Sequence, residues 1–229
     1  MLIGGIQKLS LIDFPGKVAS VVFTQGCDFL CPFCHNSELI PARGNGMILE
    51  NDVLLFLSDN LKMLEGVCVT GGEPTGQSDL PEFIEKIKNL GLAVKLDTNG
   101  SSPETLKSIF SRNLVDYVAM DIKAAWENYP LAIKSPCADD YARKVKDSLL
   151  VIMDSGVDHE FRTTVFPGVH KTDDFISIAG YFRDGEKYFI QNIRLDKTLE
   201  NINSEEKLSA SEIAGEIGGL FPKLRVDWR

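Results

Sequence analysis

Three of the chain's five cysteines fall within "CDFLCPFCHN", residues 27 to 36. Cys27, Cys31 and Cys34 follow a C-x3-C-x2-C spacing. A disulfide would use two and strand the third, and residues this close make a poor disulfide framework. Thiolates are soft donors that suit zinc or an iron–sulfur cluster. Structural zinc takes four ligands, commonly from two separated pairs, and no second pair is present. His35 offers a fourth donor, but it adjoins Cys34 and chelation by both would strain the loop. A cubane cluster with three cysteine ligands leaves one iron open to an outside molecule, which gives the odd number a purpose. Cys68, inside the apolar run "GVCVT", and Cys137, after Pro136, read as plain structural cysteines.

Other polar residues stand at the ends of apolar runs. Gly71 and Gly72 precede Glu73 in "GGEP", and glycines at a strand end let backbone carbonyls approach a ligand that a Cβ would block. Asp121 and Lys123 in "MDIK" are two apart, so on a strand they face the same way. Such a pair suits a zwitterion, anion to Lys and cation to Asp; an internal ion pair is the plainer alternative. Glu160, Arg162 and Thr164 alternate in "EFRTT" and should point inward, Glu160 with Arg162 reading as a buried structural pair. His159 and His170 are expected on the surface or in loops. Trp126 and Tyr129 lie in the long connection "AAWENYPLAIKSPCADD"; exposed there they would receive a protein partner, buried they would pack over a rim.

The elements that must position these residues repeat from residue 17 to about residue 193. "KVASVVFTQG", "VCVTGG", "AVKLDTNG", "DYVAMDIK", "EFRTTVF" and "KYFIQNI" read as strands. Helical stretches alternate with them: "NDVLLFLSDNLKMLEG", "LPEFIEKIKNLG", "SPETLKSIFSRN", one near 139 to 155 and one near 172 to 184. Asn51, Ser78 and Ser102 are placed to cap helices, Pro81 and Pro103 stand in first turns, and Gly66, Gly91 and Gly156 are placed to stop helices. Right-handed crossovers make such a sheet parallel. The expected fold is α/β, a partial, open TIM-type (β/α)6 barrel with outer helices and its site at the C-terminal strand ends. A single domain over 1–229 is expected, with a core of about 17–194, an N-terminal extension 1–16 and a tail from about 203 to 229. The tail should hold one short amphipathic helix and an edge strand in "LFPKLRVDW".

Composition narrows the class. With 24 Lys and Arg against 33 Asp and Glu, the net charge of −9 repels phosphate backbones, and no run of basic residues compensates. Nucleic acid is therefore not expected as a partner. "MLIGGIQKLSLIDFPGK" lacks the basic start and sustained apolar run of a signal peptide, and no apolar run is long enough to span a bilayer. A cytoplasmic location is expected, where clustered thiols more often hold metal or do redox chemistry.

The cysteine loop taken with "GGEP" resembles the radical S-adenosylmethionine superfamily. "SLIDFPGKVASVVFTQGCDFLCPFCHN", "LDTNG" and "MDIK" are similar to its glycyl-radical-enzyme activases, most of all the activating proteins of anaerobic ribonucleoside-triphosphate reductase. The resemblance covers roughly residues 3 to 194. It implies that Cys27, Cys31 and Cys34 ligate one [4Fe-4S] cluster, whose fourth iron takes the amino and carboxylate groups of S-adenosylmethionine. It further implies Phe33 against the adenine, the backbone of His35 near its exocyclic nitrogen, and Gly71, Gly72 and Glu73 at the methionine ammonium. Asp97, Thr98, Asp121 and Lys123 would surround the methionine and ribose ends. Gln191 and Asn192 would reach the ribose in place of a histidine used by pyruvate formate-lyase activases. The implied reaction is reductive cleavage of S-adenosylmethionine and removal of a hydrogen atom from a glycine of a partner enzyme, with flavodoxin or ferredoxin as electron donor. An activase of another glycyl radical enzyme is the near alternative. A small-molecule enzyme such as 7-carboxy-7-deazaguanine synthase is a further one, against which "DFPG" and "CHN" argue. A zinc-stabilised binding module is the alternative from another class.

Overall fold

The computed structural model describes residues 1–44, 46–193, 198–200 and 208–229 of the chain. The first part of the expected tail, 203–207, lies outside the described residues. One sheet of eight strands runs through the molecule in sequence order: β1 (Ile3–Ser10), β2 (Ala19–Thr24), β3 (Gly66–Gly71), β4 (Ala93–Thr98), β5 (Tyr117–Asp121), β6 (Asp158–Thr164), β7 (Lys187–Gln191) and β8 (Arg225–Trp228). β2 to β8 are parallel, and β1 alone is antiparallel, on β2. The six expected strands are β2 to β7, and the edge strand of the tail is β8. The N-terminal extension was not expected to be a strand; it forms β1 and adds an eighth.

Helices cover the outer face: α1 (Glu50–Asp59), α2 (Leu80–Asn89), α3 (Pro103–Ser111), α4 (Tyr129–Ile133), α5 (Ala138–Asp154), α6 (Thr172–Ala179) and α7 (Ala210–Leu220). α2 shows why they form. Leu80, Phe83, Ile84 and Ile87 are buried at helical spacing, Pro81 sits in the first turn, and Lys86 and Lys88 oppose the dipole in the last. α5 repeats the pattern with Ala138, Ala142, Val145, Leu149 and Ile152 buried. The strands between are apolar and β-branched because sheet residues are covered from both sides. None of the described helices is long and apolar enough to cross a membrane.

Several expected boundary signals do other work. Asn51 lies inside α1, whose N-cap position is Leu49, and Ser78 stands one residue before the α2 cap position, Asp79. Ser102 does precede α3, but its hydroxyl pairs with that of Thr105 and makes no capping bond. Gly91 and Gly156 follow helices with φ of +83° and +71°, a left-handed turn that glycine adopts freely. Gly66 stops no helix: it opens β3, and a Cβ there would come within 2.9 Å of the Phe14 ring. Phe14, from the β1–β2 connection, is buried with Ala19, Tyr117 and Ala119. This aromatic cluster closes the N-terminal end of the lumen and leaves the C-terminal strand ends to carry the site.

Candidate functional site

β2 runs directly into the cysteine loop, and backbone bonds pin that loop to β3. Gly72 N donates to Thr24 O at 2.9 Å, Glu73 N to Gly26 O at 2.8 Å, and Gly26 N to Leu39 O at 2.7 Å. This crossing explains the glycine pair. Gly71 has φ +118°, and a Cβ on it would meet Thr24 N at 2.3 Å, while a Cβ on Gly72 would meet Gly26 O at 2.0 Å. On that side the space a side chain would fill is taken by the backbone that carries the cysteines, while both glycines also line the cavity at the strand ends. On the far side of the loop, Leu30 N donates to Ile133 O at 2.8 Å, tying it to the end of α4.

The three thiols line a cavity of about 220 Å³ at the C-terminal strand ends, together with Phe33, His35, Gly71, Gly72, Glu73, Asp97, Thr98, Asp121, Lys123 and Thr164. Cys31 is buried, and Cys27 and Cys34 are partly so. Burial raises the Cys27 thiol well above its ordinary range; it also pushes Cys31 up to about 12, against the pull of Lys123. Such thiols ionise when a bound metal takes the place of the proton. Among the described residues, no three His, Cys, Asp or Glu side chains converge on one metal ion. A polynuclear cluster does not require that convergence, because each thiolate binds a different iron. Three soft donors lining one cavity therefore fit an iron–sulfur cluster.

The floor of the cavity is an alternating ladder of charge. The β5–β6 register sets Asp121 beside Arg162. Arg162 Nε donates to Asp121 Oδ1 at 2.8 Å, and both its terminal nitrogens reach Asp97 Oδ2 at 3.2 Å. Lys95 pairs with the other oxygen of Asp97, and Lys123 Nζ reaches Asp121 Oδ2 at 3.2 Å. Burial works to raise the Asp121 carboxyl, but Arg162 and Lys123 outweigh it and hold the group well below the usual range. The expected Glu160–Arg162 pair is the looser one, at 3.9 Å. Glu160 instead receives Arg229 at 2.9 Å and 3.1 Å and the Tyr117 hydroxyl at 2.9 Å.

Glu73 forms a second knot. Its carboxylate accepts from Thr75 N at 3.0 Å, Thr98 Oγ1 at 2.7 Å and Asn99 N at 2.6 Å. Burial, with Asp28 nearby, pushes its carboxyl up to about 7, although these donors pull the other way. The knot ties the ends of β3 and β4 beneath the cysteine loop. Thr98 is thereby turned onto Glu73, and Asn99, which the sequence reading passed over, becomes its hub. The only local signal was the position of Asn99 inside "LDTNG".

Other expected residues lie apart. Neither Gln191 nor Asn192 lines the cavity. Asn192 is held in the β7–β8 region, donating through Nδ2 to Arg229 O at 3.3 Å and accepting from Ala210 N at 3.3 Å. His159 pairs with Glu186 at 2.6 Å. His170 is in a loop as expected but is buried, against the alternative of a surface position. Its ring holds Lys123 O at 2.8 Å and accepts from Phe166 N at 3.0 Å, so it braces the backbone under Lys123. Trp126 and Tyr129 are buried and stacked at 5.9 Å, which corrects the exposed alternative in favour of rim packing. Phe33 packs against Phe166 with ring centroids 4.9 Å apart.

Comparison with known proteins agrees with this geometry. A family model described as the Radical SAM superfamily matches residues 21–179. A protein of Methanocaldococcus jannaschii, which its name proposes to be a glycyl-radical enzyme activating enzyme, is 35% identical over 195 residues, 83% of this chain and 79% of the relative. The pyruvate formate-lyase-activating enzyme of Clostridium pasteurianum is 29% identical over 126 residues, 53% of this chain and 52% of its own length. Among solved structures, Streptococcus suis SuiB bound to S-adenosylmethionine superposes with a TM-score of 0.70 at 12% identity, over 90% of this chain and 48% of SuiB. That likeness is one of fold, and this chain spans about half of SuiB.

Proposed function

The chain belongs to the Radical SAM superfamily, whose enzymes use a [4Fe-4S] cluster and S-adenosylmethionine, and from that premise we propose that it activates an anaerobic ribonucleoside-triphosphate reductase. Its homologues include glycyl-radical enzyme activating enzymes, and the long match to the Methanocaldococcus relative is the observation that carries the activase reading. The choice of reductase rests on the resemblance of "SLIDFPGKVASVVFTQGCDFLCPFCHN" to the activating proteins of that enzyme.

Cys27, Cys31 and Cys34 would hold the cluster. When bound, it supplies the single electron that splits S-adenosylmethionine into methionine and a 5′-deoxyadenosyl radical, which removes a hydrogen atom from the partner's glycine. The residues around the cavity have separate tasks. The ladder sets three cations, Lys95, Arg162 and Lys123, against two anions, Asp97 and Asp121. The surplus positive charge suits the methionine carboxylate, with Lys123 facing the cavity to receive it. Each oxygen of Asp97 and Asp121 already holds a cation, so the ammonium and ribose ends would share their remaining lone pairs. Phe33 offers an apolar face to the adenine, and the backbone of His35 a hydrogen bond to its edge. Gln191 and Asn192 take no part in ribose binding on this reading. Cys68 is buried in β3 and Cys137 is exposed before α5, apart from the three thiols of the cavity. On this reading the electron comes from an external flavodoxin or ferredoxin, in the cytoplasm.

The test mixes the reconstituted protein, reductant and S-adenosylmethionine with purified glycyl radical enzymes. A glycyl doublet in the electron paramagnetic resonance spectrum of the anaerobic ribonucleotide reductase is expected. A doublet confined to a pyruvate formate-lyase type enzyme would reassign the partner. Steady conversion of a small pterin substrate with no doublet on any protein would contradict the activase reading.

A further inference from the structure

Between Cys27 and Cys31 the chain carries one ionisable side chain, Asp28, to which the function above gives no task. Its carboxylate is pinned. Asn99 Nδ2 donates to Oδ1 at 3.0 Å, and Tyr141 of α5 stands near it. Asn99 is itself fixed, donating from its backbone to Glu73 at 2.6 Å and accepting from Ser101 N at 2.8 Å. The Tyr141 ring packs edge-on against buried Phe29, with centroids 5.1 Å apart. The Asn99 donor is a neutral amide, and among the described residues no Lys or Arg pairs with Asp28. The carboxylate Oδ1 lies 4.0 Å from Cys27 Sγ.

An uncompensated negative charge at that distance opposes any electron added to a metal centre on the same sulfur, most strongly where water is partly excluded. Iron–sulfur potentials respond to net charge, to hydrogen bonds on sulfur and to exposure. One contact works the other way: Phe29 N donates to Cys27 Sγ at 3.5 Å, which favours the reduced form. A single neutral donor at that length is weaker than a full charge held close by. We propose that Asp28, held in place by Asn99, is a positioning residue that acts through Cys27 to keep the cluster's reduction potential low. A low potential makes the reduced centre a stronger donor to the sulfonium. This rests on the cofactor reading above.

The experiment reconstitutes the native protein, Asp28→Asn, Asp28→Glu and Asn99→Ala, assays iron and sulfide, and titrates each midpoint potential without S-adenosylmethionine. A native protein that takes up no cluster would sink the cofactor reading itself, before potentials are compared. With the cluster present, Asp28→Asn is expected to shift the potential upward, Asp28→Glu to stay near native and Asn99→Ala to fall between. An Asp28→Asn potential equal to or below the native value overturns the proposal. Should Asp28→Asn hold less iron than native, Asn99→Ala decides: an upward shift supports the proposal and an unmoved potential overturns it.

Discussion

The two ends of this open barrel are built from the same strands and closed by opposite means. At the N-terminal end, Phe14 drops from the β1–β2 connection onto Ala19, Tyr117 and Ala119, and Gly66 gives up its side chain to admit the ring. Close apolar packing excludes water and needs nothing further. At the C-terminal end the lumen is lined by the Lys95–Asp97–Arg162–Asp121–Lys123 ladder and by the Glu73 knot, beneath three thiols. The glycines there, Gly71 and Gly72, admit backbone where Gly66 admits a ring. Apolar packing thus seals one end, and the other carries charges held in pairs that a ligand can engage.

The contrast yields predictions of decreasing size. Changing Cys27, Cys31 or Cys34 to Ser should abolish cluster uptake, read as iron per chain after anaerobic reconstitution, while Cys68→Ala and Cys137→Ser keep the native content. Full iron in any one of the first three variants would contradict the site. Phe14→Ala should cost about 3–5 kcal/mol of folding stability by the scale of large-to-small core substitutions. Denaturant titration measures that loss, and the affinity for S-adenosylmethionine in the folded protein should be unaltered; a weakened affinity would show that the two ends are coupled. Arg162→Leu leaves Asp97 and Asp121 facing each other without their shared cation. It should destabilise by about 3–5 kcal/mol, as expected when one partner of a buried ion pair is removed, and in contrast to Phe14→Ala it should weaken S-adenosylmethionine binding as well.

A smaller effect comes from Glu73. Its folded-state carboxyl titrates at about 7, above the ordinary value of 4.5, because burial and Asp28 disfavour the charge. Between those values the native state binds more protons than the unfolded one, so stability falls as pH rises through this window and levels off above it. The full loss in the metal-free protein is roughly 3 kcal/mol, at 1.36 kcal/mol per unit. Glu73→Gln should flatten that slope in denaturant titrations at about pH 5 and about pH 8, while a slope unchanged by the substitution would assign it to another group.

The same contrast shows what could be read from the sequence. The strands β2 to β7 were legible because residues covered on both faces form continuous β-branched runs. β1 was not: "IGGIQKLS" carries two glycines and several polar residues, and it is a strand because it pairs antiparallel with β2. The cysteines were legible because their spacing is local. Arg162 was read as the partner of Glu160 two residues away, whereas its closer partners are Asp121 across one strand boundary and Asp97 across two. A second constraint on the glycine pair was hidden for a related reason, since what fills the space beside Gly72 is the Gly26 carbonyl, 46 positions earlier in the sequence. His170, buried under Lys123, had no sequence signal to separate it from an exposed loop histidine.

All of this turns on three cysteines sharing one cluster that keeps an iron for an outside ligand. Mössbauer spectra of the anaerobically reconstituted protein, recorded with and without S-adenosylmethionine, test that most directly. The expected result is a four-iron centre in which one iron site alone changes when S-adenosylmethionine is added. A centre whose four irons are all indifferent to S-adenosylmethionine, or a protein that takes up no four-iron centre, would contradict it.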